Sequence, residues 1–278
     1  MDYKITRLEP FGVLLEPNGE NTNIRDLDVE NLRELFHKEH LLLLRGFETF
    51  TNMDDFPDYC ASWGEVSIWP FGKVLELIQQ DNPKDHIFDH SYVPIHWDGM
   101  YRPQVPEYQI FHCVQAPLRG QGGRTTFCNT VSTLKNACAE SVELWNKVTG
   151  VYQRKMEFYN SKTVSPVVVK HPHRDFSVIR YNEPHMKENG DLINPVDMEF
   201  TGINKDELTL FHRSLKEALF AKDNFYAHEW QTGDVVIADN LSLLHGREEF
   251  VSKSPRHIRR VQVLSNPPYD NPGLESYK

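Results

Sequence analysis

The chain has 278 residues, 39% hydrophobic and 25% charged, with 30 Lys+Arg against 40 Asp+Glu and a formal charge of -10. That apolar share is enough for a buried core and excludes a disordered chain. A mean hydropathy of -0.55, with no apolar run near about 18 residues, excludes a membrane helix. A net anion is repelled by phosphate backbones, and the densest basic run, Arg256-His257-Ile258-Arg259-Arg260, continues into apolar Val261 and Val263, so no nucleic-acid partner is expected.

The first residues, MDYKITRLEP, show no basic stretch leading into an apolar one, so no secretory signal is visible. The four cysteines, Cys60, Cys113, Cys128 and Cys138, form no C-x-x-C pair. A cytoplasmic protein with reduced thiols is expected. Residues 26–38 place Leu27, Leu32, Leu35 and Phe36 at helical spacing, and the apolar run of four leucines before Arg45-Gly46 suits a buried strand. A short helix is expected at 54–63. Strands follow at 74–78, 93–97, 108–114 and 125–128, then a helix at 134–148. Residues 167–169 and 177–180 suit strands around a turn, and 205–221 is the clearest amphipathic helix. Strands return at 234–238 and 257–264.

Short strands separated by turns favour an antiparallel sandwich or barrel, mainly β with helical decoration. No repeat or linker splits the chain. One domain over 1–278 is expected, with a mostly helical and loop insert between roughly 129 and 230. Self-association is left open. No G-x-G-x-x-G follows a strand, and no G-x-x-x-x-G-K-[ST] or G-x-S-x-G occurs, which removes nucleotide and serine-hydrolase chemistry.

Among thirteen histidines, His37, His40, His212 and His228 have no ligand-like neighbour in sequence. His171 and His173 form an H-x-H pair of the kind that opens a cupin metal site, but the glycines framing such a site are absent. His96 and Asp98 are two apart, so on a strand they point to one face. A distant histidine, His245, follows the expected strand at 234–238. Two histidines and one carboxylate leave metal positions open, as in non-haem Fe(II) oxygenases, and zinc accepts the same donors. Arg256 and Arg260 share a strand face. In an acidic chain their partners are either local carboxylates or a carboxylate-bearing co-substrate.

H-x-D, a distal histidine in D-N-x-x-x-x-H and an arginine further on resemble the TauD/TfdA family of dioxygenases. Gly122-Gly123-Arg124-Thr125 resembles the family's G-G-x-T, and Leu41 to Gly46 resembles its early strand, so the likeness runs along nearly the whole chain. It implies a double-stranded β-helix (jelly roll) and Fe(II) held by His96, Asp98 and His245. It further implies 2-oxoglutarate as co-substrate, with Thr125 and Arg256 on its distal carboxylate, and O2 as oxidant. Arg260 would face the anionic end of a small-molecule substrate.

Within that family, residues 69–77, 86–88, 93–101 and 239–248 are similar to the PvcB-type enzymes, which act on isocyano derivatives of tyrosine. Gly99, Met100 and Tyr101 after H-x-D depart from taurine dioxygenase and imply a larger, aromatic substrate. The implied outcome is desaturation, decarboxylative alkene formation or hydroxylation. A sulfonate substrate is the alternative, and a zinc hydrolase the more distant one.

Overall fold

Where the apolar residues fall decides how the sheets stack. The structure, a computed structural model, describes residues 3–19, 22–156, 159–185 and 192–277. In the strands Leu41–Leu44 and Val235–Asp239 every residue is buried, so both faces are covered. Leu42, Leu44, Val235 and Ile237 pack with Leu32 and Phe36 of helix Val29–Glu39 and with Phe56 and Cys60 of helix Asp55–Ala61. Leu41, Leu43, Val236 and Ala238 pack with Phe127, Trp230 and Leu243 instead. Period-two alternation thus sends one set to a helical layer and the other to a second sheet.

The first sheet runs Tyr3–Arg7, Val13–Pro17, Leu41–Leu44, Val235–Asp239, Tyr108–Gln115, His257–Val263, Leu75–Ile78. Its pairs are antiparallel except Val13–Pro17 with Leu41–Leu44. The second runs Phe225–His228, Thr125–Asn129, Leu243–Arg247, Val93–His96. This is the mainly β jelly roll expected from the sequence. No described helix is long and apolar enough to cross a membrane.

The stretch 129–230, expected to be mostly helix and loop, is richer in strand than that. Helices Thr130–Asn136, Ala139–Asn146 and Lys205–Leu219 are present, with the expected 134–148 helix broken in two. A further sheet, ordered Asp197–Thr201, Thr149–Met156, Tyr159–Pro166, Leu274–Tyr277, stands beside them. Its inward residues Ser161, Thr163 and Ser165 are polar, so the two-residue period carries little hydrophobic signal. Two of them hold backbone instead of packing, since the Ser161 hydroxyl donates to Tyr101 O at 3.1 Å and the Thr163 hydroxyl to Met100 O. Helix Lys205–Leu219 starts at a capping box of Asn204 and Glu207 and buries Phe211, Leu215 and Leu219.

In the second sheet His245 pairs with His96 across neighbouring strands. A β-carbon on Gly246 would lie 2.6 Å from Val93 O and 3.2 Å from Ile95 N. Overpacking of this kind costs about 1–3 kcal/mol, or about 2–4 °C in Tm per kcal/mol for a chain near this size. Gly246→Ala should therefore lower Tm by about 2–12 °C in a thermal melt and weaken metal binding by spreading the histidine pair. Gly19→Ala, with no atom within 4 Å, should change neither. Equal melts for the two variants would show that this strand contact has slack.

Candidate metal centre

The strand Val93–His96 ends on His96, and Trp97 turns away, buried with the Arg180 guanidinium 4.8 Å from its ring. Asp98 then returns to the face of His96. Its position is held through the backbone. Asp98 N donates to Asn240 Oδ1 at 2.8 Å, and Asn240 Nδ2 donates to Asp98 O and Pro106 O. Gly99 follows at φ +95, where a β-carbon would meet Pro106 Cδ at 2.7 Å and Val105 Cα at 2.9 Å. Only glycine suits this turn.

His96, Asp98 and His245 each offer one ligand atom, and all three atoms lie within 4.8 Å of one another. His96 Nε2 is 3.5 Å from Asp98 Oδ1, and His245 Nε2 is 3.8 Å from Asp98 Oδ2. His96 Nδ1 donates to Pro94 O at 2.8 Å, which leaves Nε2 facing the carboxylate. Burial, and then the adjacent His96, push the His245 pKa down to about 3, so its imidazole is a neutral donor at ordinary pH. Burial alone would raise the Asp98 pKa, but the Arg260 guanidinium and the two histidines hold it well below the carboxylate range.

Asp98 Oδ2 accepts from Arg260 Nη1 at 2.6 Å, Gln262 Nε2 at 2.7 Å and Gln109 Nε2 at 2.9 Å. Two imidazoles and one carboxylate, with no further ligand grouped with them among the described residues, fit a divalent ion that keeps open positions. The sequence pattern did not single out Asn240, Gln109 or Gln262. Asn240 stood inside the D-N segment, but no spacing marked the glutamines.

Arg256 meets the chain at Gly123, two residues before Thr125. Gly122 and Gly123 have φ of +77 and +79, and a Gly122 β-carbon would run 2.3 Å from Glu249 O. Gly123 leaves room for Arg256, whose Cδ would lie 3.1 Å from a β-carbon there, and Arg256 Nε donates to Gly123 O at 3.0 Å. Arg256 is 4% exposed, and no carboxylate of the described residues bridges it. Burial lowers its pKa to about 10. A buried guanidinium without a counter-ion fits an anionic ligand. Thr125 lies opposite Arg247 and Phe127 opposite His245, so Thr125 is two residues, about 7 Å, along the sheet from His245. That is the reach of a five-carbon diacid. The Thr125 hydroxyl accepts from Trp230 Nε1 at 3.0 Å.

His171 and His173 gather no third ligand among the described residues. His171 Nδ1 accepts from His173 N, and His173 Nε2 bonds the Ser265 hydroxyl.

A cavity of about 970 Å³ opens against His96, Asp98 and Arg260. Trp69, Phe71, Tyr101, Tyr159 and Phe200 supply rings to its wall, and Met100 and Met198 soft apolar surface. Tyr101 stacks on Tyr159 at 5.8 Å between ring centroids. The substrate residues expected from sequence, Met100, Tyr101 and Arg260, all line it, although Arg260 also bonds Asp98.

The model of the "Taurine catabolism dioxygenase TauD, TfdA family" matches residues 4–262. The chain belongs to the TauD/TfdA dioxygenase family. It is 46% identical over 261 residues to the tyrosine isonitrile desaturase of Erwinia amylovora, covering 94% of this chain and 89% of that one. It is 38% identical over 263 residues to the 3-((Z)-2-isocyanoethenyl)-1H-indole synthase of Fischerella ambigua, covering 94% and 96%. Its fold is similar, at a TM-score of 0.86 and 40% identity, to the solved structure of PvcB, described as an Fe, alpha-ketoglutarate dependent oxygenase from an isonitrile synthetic pathway. That match covers 99% of this chain and 97% of the other.

Replacing His96, Asp98 or His245 by Ala should abolish Fe(II) binding in an anaerobic titration while circular dichroism stays that of the folded protein. His171→Ala should bind iron normally. Full iron affinity in His245→Ala would overturn the assignment of the centre.

Proposed function

We propose that the protein is an Fe(II)- and 2-oxoglutarate-dependent oxygenase that oxidises an isocyano-tyrosine-like acid in isonitrile biosynthesis. The observation that carries this reading is a two-histidine, one-carboxylate group set against a large cavity walled by aromatic rings. His96, Asp98 and His245 would hold the iron, and Arg256 with Thr125 the distal carboxylate of 2-oxoglutarate. The iron and co-substrate, when bound, supply oxidising power from O2 and release succinate and carbon dioxide.

The protein's own contribution is placement. Asp98 keeps Oδ1 toward His96 because three donors occupy Oδ2. Trp69, Tyr101, Tyr159 and Phe200 offer flat apolar walls to a substrate ring and keep water from its benzylic carbon. For desaturation the balance is one O2 and one 2-oxoglutarate consumed, two substrate hydrogens lost, and one water formed with succinate and carbon dioxide. A small sulfonate of the taurine type would leave most of the cavity unfilled, so the aromatic acid is the better fit.

Mass spectrometry of the iron-loaded enzyme given 2-oxoglutarate, O2 and isocyano-tyrosine tests the reading. A product two mass units lighter, formed with equimolar succinate, is the expected result, and taurine should give none. Turnover of taurine with isocyano-tyrosine unchanged would sink it. Arg256→Met should weaken 2-oxoglutarate binding by about 10- to 100-fold, the loss of a charge-assisted bond, with iron affinity unaltered. Unchanged 2-oxoglutarate affinity would move the co-substrate away from Arg256.

A further inference from the structure

The cavity is mostly rings and apolar chains, yet the proposed substrate carries a carboxylate, and a carboxylate taken out of water needs a partner. Among the described residues lining the cavity, Arg154 and Arg260 alone carry a permanent positive charge. Arg260 already bonds Asp98 Oδ2, and Asp98 is one of the three residues that would hold the metal, so Arg260 is committed to orienting it.

Arg154 is placed differently. On the strand Thr149–Met156 it shares the inward face with Tyr152 and Met156, whereas Gln153 and Lys155 are exposed. Its Nη2 donates to Asp85 and, at 3.4 Å, to Asn194 O. Asp85 is 1% exposed and also accepts from Ile87 N and Asn194 Nδ2, so it anchors one corner of the guanidinium. Arg154 Nε is buried without a partner, and Nη1 makes no bond with the described residues. An inward arginine with donors to spare, on the wall of an apolar cavity, fits an anion that arrives with the substrate. His86, next to Asp85 in the chain, lines the same cavity as Arg154 and His96. The guanidinium therefore shares the cavity wall with His96 and Asp98.

We propose that Arg154, oriented by Asp85, binds the carboxylate of the isocyano-acid substrate and so sets which carbon faces the metal. This rests on the functional reading given above.

The test compares isocyano-tyrosine with the isocyanide of tyramine, which has the same ring and isocyano group and no carboxylate. Binding to the iron-loaded enzyme with 2-oxoglutarate is measured by calorimetry without oxygen. The wild type should favour the acid by about 10- to 100-fold. Arg154→Met should bind the tyramine isocyanide as the wild type does and the acid no better, and Arg154→Lys should restore part of the preference. Affinity for 2-oxoglutarate should be the same throughout. Because the readout is a ratio within one variant, general damage to the site does not imitate the effect. If Arg154→Met does not fold, Asp85→Asn carries the test, since a freed guanidinium should lower the ratio. A wild-type ratio in the folded variant, or no preference in the wild type, overturns the proposal. Loss of the preference in Arg260→Met alone assigns the carboxylate to Arg260. A wild type that binds neither ligand refutes the functional reading itself, whereas an unmoved ratio in Arg154→Met refutes only this role.

Discussion

The site depends on one carboxylate being shared between two sheets. Asp98 hangs from the edge of the second sheet, just past His96, but three donors to its Oδ2 come from the first. Gln109 and Gln262 are cross-strand partners on Tyr108–Gln115 and His257–Val263, and Arg260 is two residues from Gln262 on the same face. The intervening Val261 turns to the helical layer. The alternation that buries the valines therefore aims an amide, a guanidinium and a second amide at one oxygen. Such hydrogen bonds to a charged acceptor contribute about 1.5–3 kcal/mol each, and together they outweigh the cost of burying the aspartate. Any slip of the first sheet by one residue would turn these donors to the wrong side.

Close approach in the second sheet completes the geometry. His245 faces His96 because Leu243–Arg247 runs beside Val93–His96 without a side chain at Gly246 to hold them apart. The next residue, Arg247, is buried and donates to the carbonyls of His86, Ile87, Asp89 and Ser91. Three consecutive residues thus supply a candidate metal ligand, permit the strand contact and tie down the loop that carries His86 to the cavity.

The H-x-D pair, the distal histidine and the glycines before Thr125 were legible in the sequence because each is a short pattern with a local geometric reason. Two positions apart on a strand means one face, and paired glycines mean a backbone that a β-carbon would obstruct. The polar strand Tyr159–Pro166 was not legible. Its inward Ser161 and Thr163 bond the backbone of Tyr101 and Met100, so it is recognised by partners about sixty residues away and not by its own periodicity. Gln109 and Gln262 were hidden for the same reason: an amide between apolar residues of a strand looks like a solvent-facing position until the opposing sheet is in place. Arg260 was legible as an inward cation, but sequence could not say that Asp98 would take one of its nitrogens.

The three inward arginines differ in how their charge is met, and that difference orders their roles. Arg260 has its carboxylate within the protein and belongs to the centre's fixed frame. Arg256 has none among the described residues, so its desolvation is offset only when an anion binds, which suits a co-substrate renewed in every turnover. Arg154 stands between them, held at one corner by Asp85, with its Nε buried and unpartnered. A buried charge with no partner costs several kcal/mol, and one that orients a candidate metal ligand, as Arg260 does, is not free to serve a substrate. The half-satisfied arginine is the arrangement that keeps the empty cavity tolerable and still rewards an acid over its decarboxylated analogue.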